Sequence, residues 1–286
     1  MIRDRRQELR DLSVERCCQI LSLSRSEYYA RPVQVEAKAD ELLEAVRDAA
    51  DVRPAYGYRR IGAALRKRGN RRATDKRVRR RMKQLGLNRR RRRRKARTTV
   101  PGKGPASPNL TEGLNLTDPR RLVVTDLTYV AIPGGFGYVS VLLDAFSRRA
   151  LGWAVSDSLS SELPLEALEM AISGGDLNEG WIHHSDRGCQ YTSHDYRQRV
   201  LDAKGFLSNS KTACPYDNAR MESFFKTYKY EEANLQSFDS IEEIKENLTT
   251  FLEDYNHDRI HSAIGYCSPV EFETLHAQNN RKVCVR

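Results

Sequence analysis

LVVTDLTYVAI, residues 122 to 132, is the stretch on which the fold turns. It is rich in β-branched and aromatic side chains, and both of its alternate faces are apolar: Leu122, Val124, Val130 and Ile132 on one, Val123, Leu127 and Tyr129 on the other. That predicts a strand covered on both sides. After the turn Pro133-Gly134-Gly135, the pattern predicts a second strand over Tyr138 to Leu143 and a third over Ala150 to Val155, in hairpin-like succession. Leu163 to Ile172 reads as a helix, Trp181 to His184 as a fourth strand, His194 to Ala203 as a helix, and Gly205 to Leu207 as part of a short fifth strand. Sequential strands followed by alternating helix and strand predict an α/β fold, a mixed sheet flanked by helices.

Asp126 breaks the apolar run. A charged carboxylate buried there costs several kcal/mol unless it is paired, protonated or metal-bound; a place at a strand end facing water is the ordinary alternative. Asp186 follows the predicted fourth strand in HHSDRGCQY, where Asp-Arg-Gly also suits a plain turn. Glu222 lies on a predicted helix beside the stripe Met221, Phe224, Phe225 and Tyr228, a position that a solvated residue fills equally well. Taken together, one Asp on a strand, one after a later strand and a Glu on a helix are how a mixed sheet gathers three oxygen donors at one point. Such a set could ionise only around divalent cations, and Mg2+ prefers that shell. Two such ions would activate a water or a 3'-hydroxyl and stabilise the leaving oxygen of a phosphodiester, with Mn2+ as the expected substitute. Lys226 and Lys229, four and seven residues past Glu222, would share its face and hold DNA phosphates.

Charge divides the chain. Its 286 residues carry 49 Lys and Arg against 38 Asp and Glu, a formal +11. Residues 1 to 110 hold 32 basic and 12 acidic side chains, a net +20, and residues 111 to 286 hold 17 and 26, a net −9. Within the first part, residues 53 to 97 contain 22 basic side chains and a single acidic one, Asp75. Either this block is a solvated basic tail or it meets a polyphosphate, and its helical patterning favours the second. Residues 14 to 30 read as two short helices in helix-turn-helix spacing, with Arg25 on the second. A connecting helix carries Leu42, Leu43, Val46 and Ala50. Residues 58 to 87 repeat the arrangement more clearly: Ile61, Ala64 and Leu65 form one stripe, the chain breaks at Gly69-Asn70, and a helix capped by Thr74 carries Val78, Met82 and Leu85. Arg59, Arg60, Arg77, Arg80, Arg81 and Arg91 belong to its basic faces and are the expected contacts to double-stranded DNA. The expected organisation is a helix-turn-helix-like segment at 1–35, a basic helix-turn-helix domain at 36–97, a Pro/Gly-rich linker at 98–118, a catalytic core at 119–275 and a tail at 276–286.

The blocks TDLTYV, VLLDAFSRRALGW, HHSDRGCQYTS, YDNARMESFFKTYKYE and YNHDRIHSAIGYCSPVEF, in this order, resemble the DDE transposases of the insertion-sequence-three family, second-frame product, within the retroviral-integrase-like superfamily; YGYRRIGAALRKRG is similar to that family's helix-turn-helix segment. The resemblance spans roughly residues 10 to 275. It implies a ribonuclease-H-like core around a five-stranded mixed sheet, with Asp126, Asp186 and Glu222 as catalytic and metal-binding triad, Lys229 as the basic residue seven positions on, and Arg259 and His261, with Asn256, in the block that ends the core. Arg259 and His261 are carried over as DNA contacts. The implied activity is cleavage at the ends of an insertion sequence and transfer of the 3'-hydroxyl into target DNA. The implied partners are terminal inverted repeats, target DNA, further copies of the chain and a first-frame protein, separate or fused by frameshifting; a non-catalytic DNA-binding regulator is the alternative. The chain departs from the family pattern at Leu122-Val123-Val124, where a Trp is usual, and at Ser208-Asn209-Ser210, where Ser-Met-Ser is usual.

Other constellations are weaker. His183, His184, Cys189 and His194 surround Asp186 without a zinc spacing, His257 and His261 lack the Glu of a zincin motif, and Asp144 is a substitute first ligand or a turn cap. The six cysteines form no CxxC pair, the start has no apolar leader, and no stretch approaches the ~20 apolar residues of a membrane helix. A soluble cytoplasmic protein, nucleoid-associated when on DNA, is expected.

Overall fold

The computed structural model describes residues 13–21, 24, 40–87, 107–175, 177, 179–210 and 218–284. Arg25, Arg91 and the second helix expected before residue 30 lie outside these. The first expected helix is α1 (Val14–Leu21), with Cys18 buried.

Three helices make the basic domain: α2 (Glu41–Val52), α3 (Tyr58–Lys67) and α4 (Asp75–Gln84). Their apolar stripes meet in one core of Leu42, Val46, Ala49, Ile61, Leu65, Val78 and Met82. The break at Gly69 has a backbone cause. Its φ of +89° is left-handed, and the Asn70 N–H returns to the Leu65 carbonyl at 3.0 Å while the Gly69 N–H returns to Arg66 at 2.9 Å, which closes α3. Gly86, φ +70°, ends α4 the same way. Thr74 occupies the N-cap position of α4 but makes no capping hydrogen bond with its side chain.

The second body is built on a five-stranded sheet in the order β3-β2-β1-β4-β5. β1 (Leu122–Ile132), β2 (Gly135–Asp144) and β3 (Ala150–Ser156) are antiparallel neighbours, whereas β4 (Ile182–Ser185) and β5 (Phe206–Asn209) run parallel to β1. Helices cover both faces. Leu122, Val124 and Val130 pack with Met221, Phe224 and Tyr228 of α7 (Ala219–Tyr228) and with Ile244, Leu248 and Phe251 of α8 (Ile241–His257). Val123, Leu142 and Leu151 face Leu163, Ala167 and Leu168 of α5 (Glu162–Ser173) and Tyr196 and Val200 of α6 (His194–Asp202). The two apolar faces of residues 122 to 132 therefore bury against two separate helical layers. Between α5 and β4, Trp181 is fully buried and its indole N–H donates to the Ala203 carbonyl at 3.1 Å.

The last helix, α9 (Pro269–Cys284), runs through residue 275, where the sequence reading ended the core. Glu273 holds it there, pairing with Arg120 at 2.9 Å and Arg149 at 3.2 Å, with the Ser147 hydroxyl oxygen, shared with Asp144, 2.7 Å away. Phe146 stacks on Phe272 and His276. Among the described residues no helix is long and apolar enough to cross a membrane.

A polar clasp joins the two bodies. After α7 the chain makes one wide π turn, Lys229–Ala233, in which Glu231 receives a bidentate pair from Arg259, both contacts at 2.7 Å. Arg60 of the basic domain approaches the same carboxylate at 3.6 Å. Beside it the Ile260 N–H donates to the Tyr56 hydroxyl at 3.0 Å, Arg53 pairs with Asp254 and Lys67 with Glu271, and Ile260 completes the apolar core of the three helices.

Arg259 is 2% exposed and Glu231 13%, so removing one charge strands the other in a medium that solvates it poorly. Glu231→Ala is expected to lower unfolding free energy by about 3–5 kcal/mol, read from urea titration. A second expectation concerns acid. Burial pushes the His183 imidazole from 6.5 down to about 3. The unfolded chain takes up this proton below about 6.5 and the native one does not, so His183 adds nothing adverse above that pH and costs stability progressively as pH falls toward about 3. His183→Gln is expected to flatten the fall of the urea midpoint between about pH 7 and about pH 5.

Candidate functional site

Asp126 lies midway along β1, on the face that α7 covers, paired in register with Val141. It stays half-buried, and one carboxylate oxygen accepts the Leu127 N–H at 2.8 Å. Its pKa is pushed up to about 7, first by burial and then by the charges of Asp186 and Glu222. The three carboxylates thus share one electrostatic field although they come from a central strand, the end of β4 and the first turn of α7.

Asp186 directly follows β4, which the parallel register with β1 and β5 places between them. Its Oδ1 accepts the Gly188 N–H at 2.9 Å, so the Asp-Arg-Gly turn is present and fixes the carboxylate; burial raises its pKa. Glu222 is exposed on α7. Asn218, at the N-cap of that helix, donates to the Thr125 carbonyl at 3.3 Å and so ties the start of α7 to the residue before Asp126; its own Oδ1 is buried with no hydrogen-bond partner. As donors, three carboxylates suit a hard divalent cation, and only an added positive charge lets all of them ionise together. Among the described residues no group of three His, Cys, Asp or Glu side chains already converges tightly enough to hold a metal ion, so the triad would have to close on one.

Lys226 is exposed one turn beyond Glu222. Lys229 opens the π turn, half-buried with its ammonium 4.5 Å from the centroid of the Tyr129 ring, and burial lowers its pKa. It borders a groove of about 520 Å³ lined also by Ile132, Pro133, Phe238 and Asp239.

The expected DNA contacts separate into two groups. Arg59, Arg77 and Arg80 are exposed on α3 and α4, beside Lys76 and Lys83, which sequence reasoning did not single out. Arg59 and Arg79 both stack on Tyr58, which orients that basic face. Arg81 instead pairs with Asp40 at 2.5 Å, and Arg60 turns inward to Glu231 and the Tyr56 ring. Arg259 and His261, expected among the DNA contacts, lie inside the protein in this structure. Arg259 is buried and spent on Glu231; His261 is buried edge-on against Tyr255, its pKa pushed down to about 2 by burial and the nearby Arg259. Asn256 of the same block bonds both backbone groups of Ala150 on β3, at 2.9 and 3.0 Å. The block is a structural clasp, and the signal for it, Glu231 in the π turn, stands 28 residues from Arg259.

The competing constellations resolve into packing. His183 Nε2 lies 2.7 Å from the Tyr196 hydroxyl and His184 Nδ1 2.8 Å from the Ser208 hydroxyl, both buried, while His194 is exposed. His257 is exposed and His261 buried. Asp144 caps a turn, accepting from Ser147 N and Oγ at 2.8 and 2.7 Å and from Arg120 N at 2.8 Å.

Comparison with known proteins bears on this arrangement. Two families described as integrase core domain match residues 117–215 and 206–269, and one described as HTH-like domain matches residues 37–95. The uncharacterized 31 kDa protein of insertion element IS600 from Shigella sonnei is 35% identical over 276 residues, 91% of this chain and 98% of that one. The putative transposase for insertion sequence element IS986/IS6110 of Mycobacterium tuberculosis (strain CDC 1551 / Oshkosh) is 34% identical over 238 residues, 79% of this chain and 84% of that one. Transposase InsF for insertion sequence IS3A of Escherichia coli (strain K12) is 36% identical over 171 residues, 59% of each. Among solved structures, the HTLV-2 integrase catalytic core domain in complex with magnesium aligns with a TM-score of 0.41 at 15% identity, over 55% of this chain and 97% of that one. With an HTH-like domain ahead of an integrase core, and with such relatives over most of its length, the chain belongs to the insertion-sequence transposases of the DDE and integrase superfamily.

Proposed function

We propose that this transposase cuts DNA at the ends of its insertion sequence and joins the freed 3'-hydroxyl to target DNA at a centre made of Asp126, Asp186 and Glu222. What supports the reading is the raised pKa of Asp126, caused first by burial and then by the charges of Asp186 and Glu222, which places three acids from three elements within one electrostatic field. Divalent cations, two Mg2+ or Mn2+ in their place, would supply the activation of the attacking oxygen and the stabilisation of the leaving one. Asp126 and Asp186 are held by backbone N–H groups and by the sheet, so their positions are set before DNA arrives. Glu222, exposed on α7, would supply the third ligand. Lys226 and Lys229 follow on the same side and would bind the phosphates flanking the cut. The exposed Arg59, Arg77 and Arg80 would grip duplex DNA, each neutralised phosphate releasing a counterion. The paired DNA ends would be held by several copies of the chain, with a first-frame protein, separate or fused, contributing recognition of the terminal repeats. A nucleoid location follows from such a DNA-bound assembly.

Replacing Asp126, Asp186 or Glu222 by Ala is expected to abolish cleavage and strand joining on an element-end duplex while gel-shift affinity stays close to wild type. Full joining by Asp186→Ala would overturn the assignment. Binding to duplex DNA should weaken with a log-log salt slope of about −0.9 per phosphate contacted, and Arg77→Ala or Arg80→Ala should each reduce that slope by about one contact, whereas Arg259→Ala should leave it unchanged. Affinity measured across a salt series checks both statements.

A further inference from the structure

We propose that Asn209 is a positioning residue for Asp186, one that ties the chain segment entering the core to the turn that carries this acid. β5 is an edge of the sheet, and residues 107–111 lie along its open side. The Ser107 N–H donates to Asn209 Oδ1 at 2.8 Å, and the Leu110 N–H donates to the Ser208 hydroxyl at 2.9 Å. Arg197 adds a bond to the Ser107 hydroxyl at 3.2 Å. At its other end the same Asn209 amide donates through Nδ2 to the Asp186 carbonyl at 3.1 Å and to the Ser185 hydroxyl at 3.2 Å. That hydroxyl in turn donates to the Asp186 carbonyl at 2.9 Å. Asn209 is 4% exposed and stands in register with Ser185, so no water competes freely for these bonds.

The chemistry selects the side chain. A primary amide carries a donor and an acceptor on one rigid plane, and here each faces a different backbone segment. Asp in this place would keep the acceptor for Ser107 and lose the donor toward Asp186; Ala would lose both; Met, the residue usual in the similar family block, has neither in useful strength. Ser208 is a parallel but separate tether, since its hydroxyl pairs with His184 rather than with the Asp186 turn. Residues 107–111, which follow the basic domain in the chain, are thereby linked to the Asp186 turn through the Asn209 amide.

The inference rests on Asp186 being one of the catalytic acids, and the experiment separates the two claims. In the full chain, Asn209→Asp, Asn209→Ala and Asp186→Ala are compared for the kcat and DNA KM of strand joining and for amide hydrogen exchange at Ser107, Leu110 and β4. Asn209→Asp is expected to keep slow exchange at Ser107 while kcat falls about tenfold with KM unchanged; Asn209→Ala is expected to lose kcat similarly and to speed exchange at Ser107 about tenfold, with Leu110 still protected by Ser208. Wild-type kcat in both Asn209 variants, with Asp186→Ala inactive, overturns the positioning role alone. Exchange accelerated equally at Ser107, Leu110 and β4 marks general loosening and overturns it as well. Full joining by Asp186→Ala overturns the site reading instead.

Discussion

The bidentate pair between Arg259 and Glu231 is the contact on which the arrangement of this molecule depends. Two full charges are taken out of water there, and neither could stay without the other. Glu231 belongs to the π turn that begins at Lys229, and Arg259 follows α8, so the pair fixes the exit from α7 against the end of α8. Because Arg60 reaches the same carboxylate and Tyr56 receives the Ile260 N–H, the basic helices dock on the place where the core is pinned. One carboxylate thus sets the internal geometry of the core and the seat of the domain in front of it.

The division of charge acquires a physical meaning in this setting. The basic helices bury their apolar stripes together and leave Arg59, Arg77 and Arg80 outward, where phosphate would relieve their mutual repulsion. The core is net acidic, and the pKa of Asp126 on β1 is raised first by burial and then by the charges of Asp186 and Glu222. Left to themselves these acids repel a DNA backbone. On the proposed function, a duplex brought in by the basic face would need cations at these acids before it settled, and binding and chemistry would separate by mutation.

Much of the fold was legible because its longest strands are apolar on both faces and are bounded by clear turn residues. Both apolar faces of residues 122 to 132 found helical partners, and the strand and helix limits agree within a few residues from Tyr138 to Asp202. β5 was only half visible, since Ser208 and Asn209 look like loop residues until their side-chain partners at residues 107–111 and Asp186 are known. Asp126, Asp186 and Glu222 stood out in the sequence by the element types that carry them, and the electrostatic influence of the other two on Asp126 is what the structure adds. The buried partners of Arg259 and His261 were hidden for the same reason as those of Asn209: a polar side chain in sequence carries no sign of whether its partner is water, DNA or a carboxylate 28 residues away. His183 and His184 invited a metal reading for that reason, and their partners, Tyr196 and Ser208, came from elements that periodicity locates but does not orient.

The Asn256 side chain offers its amide oxygen to the Ala150 N–H and its amide nitrogen to the Ala150 carbonyl, the two bonds that a neighbouring strand would make. β3 is an outer strand of the sheet, and at Ala150 its outward hydrogen-bonding groups are consumed from within the same chain. A sheet margin sealed in this way offers no template at that point for another molecule to extend it.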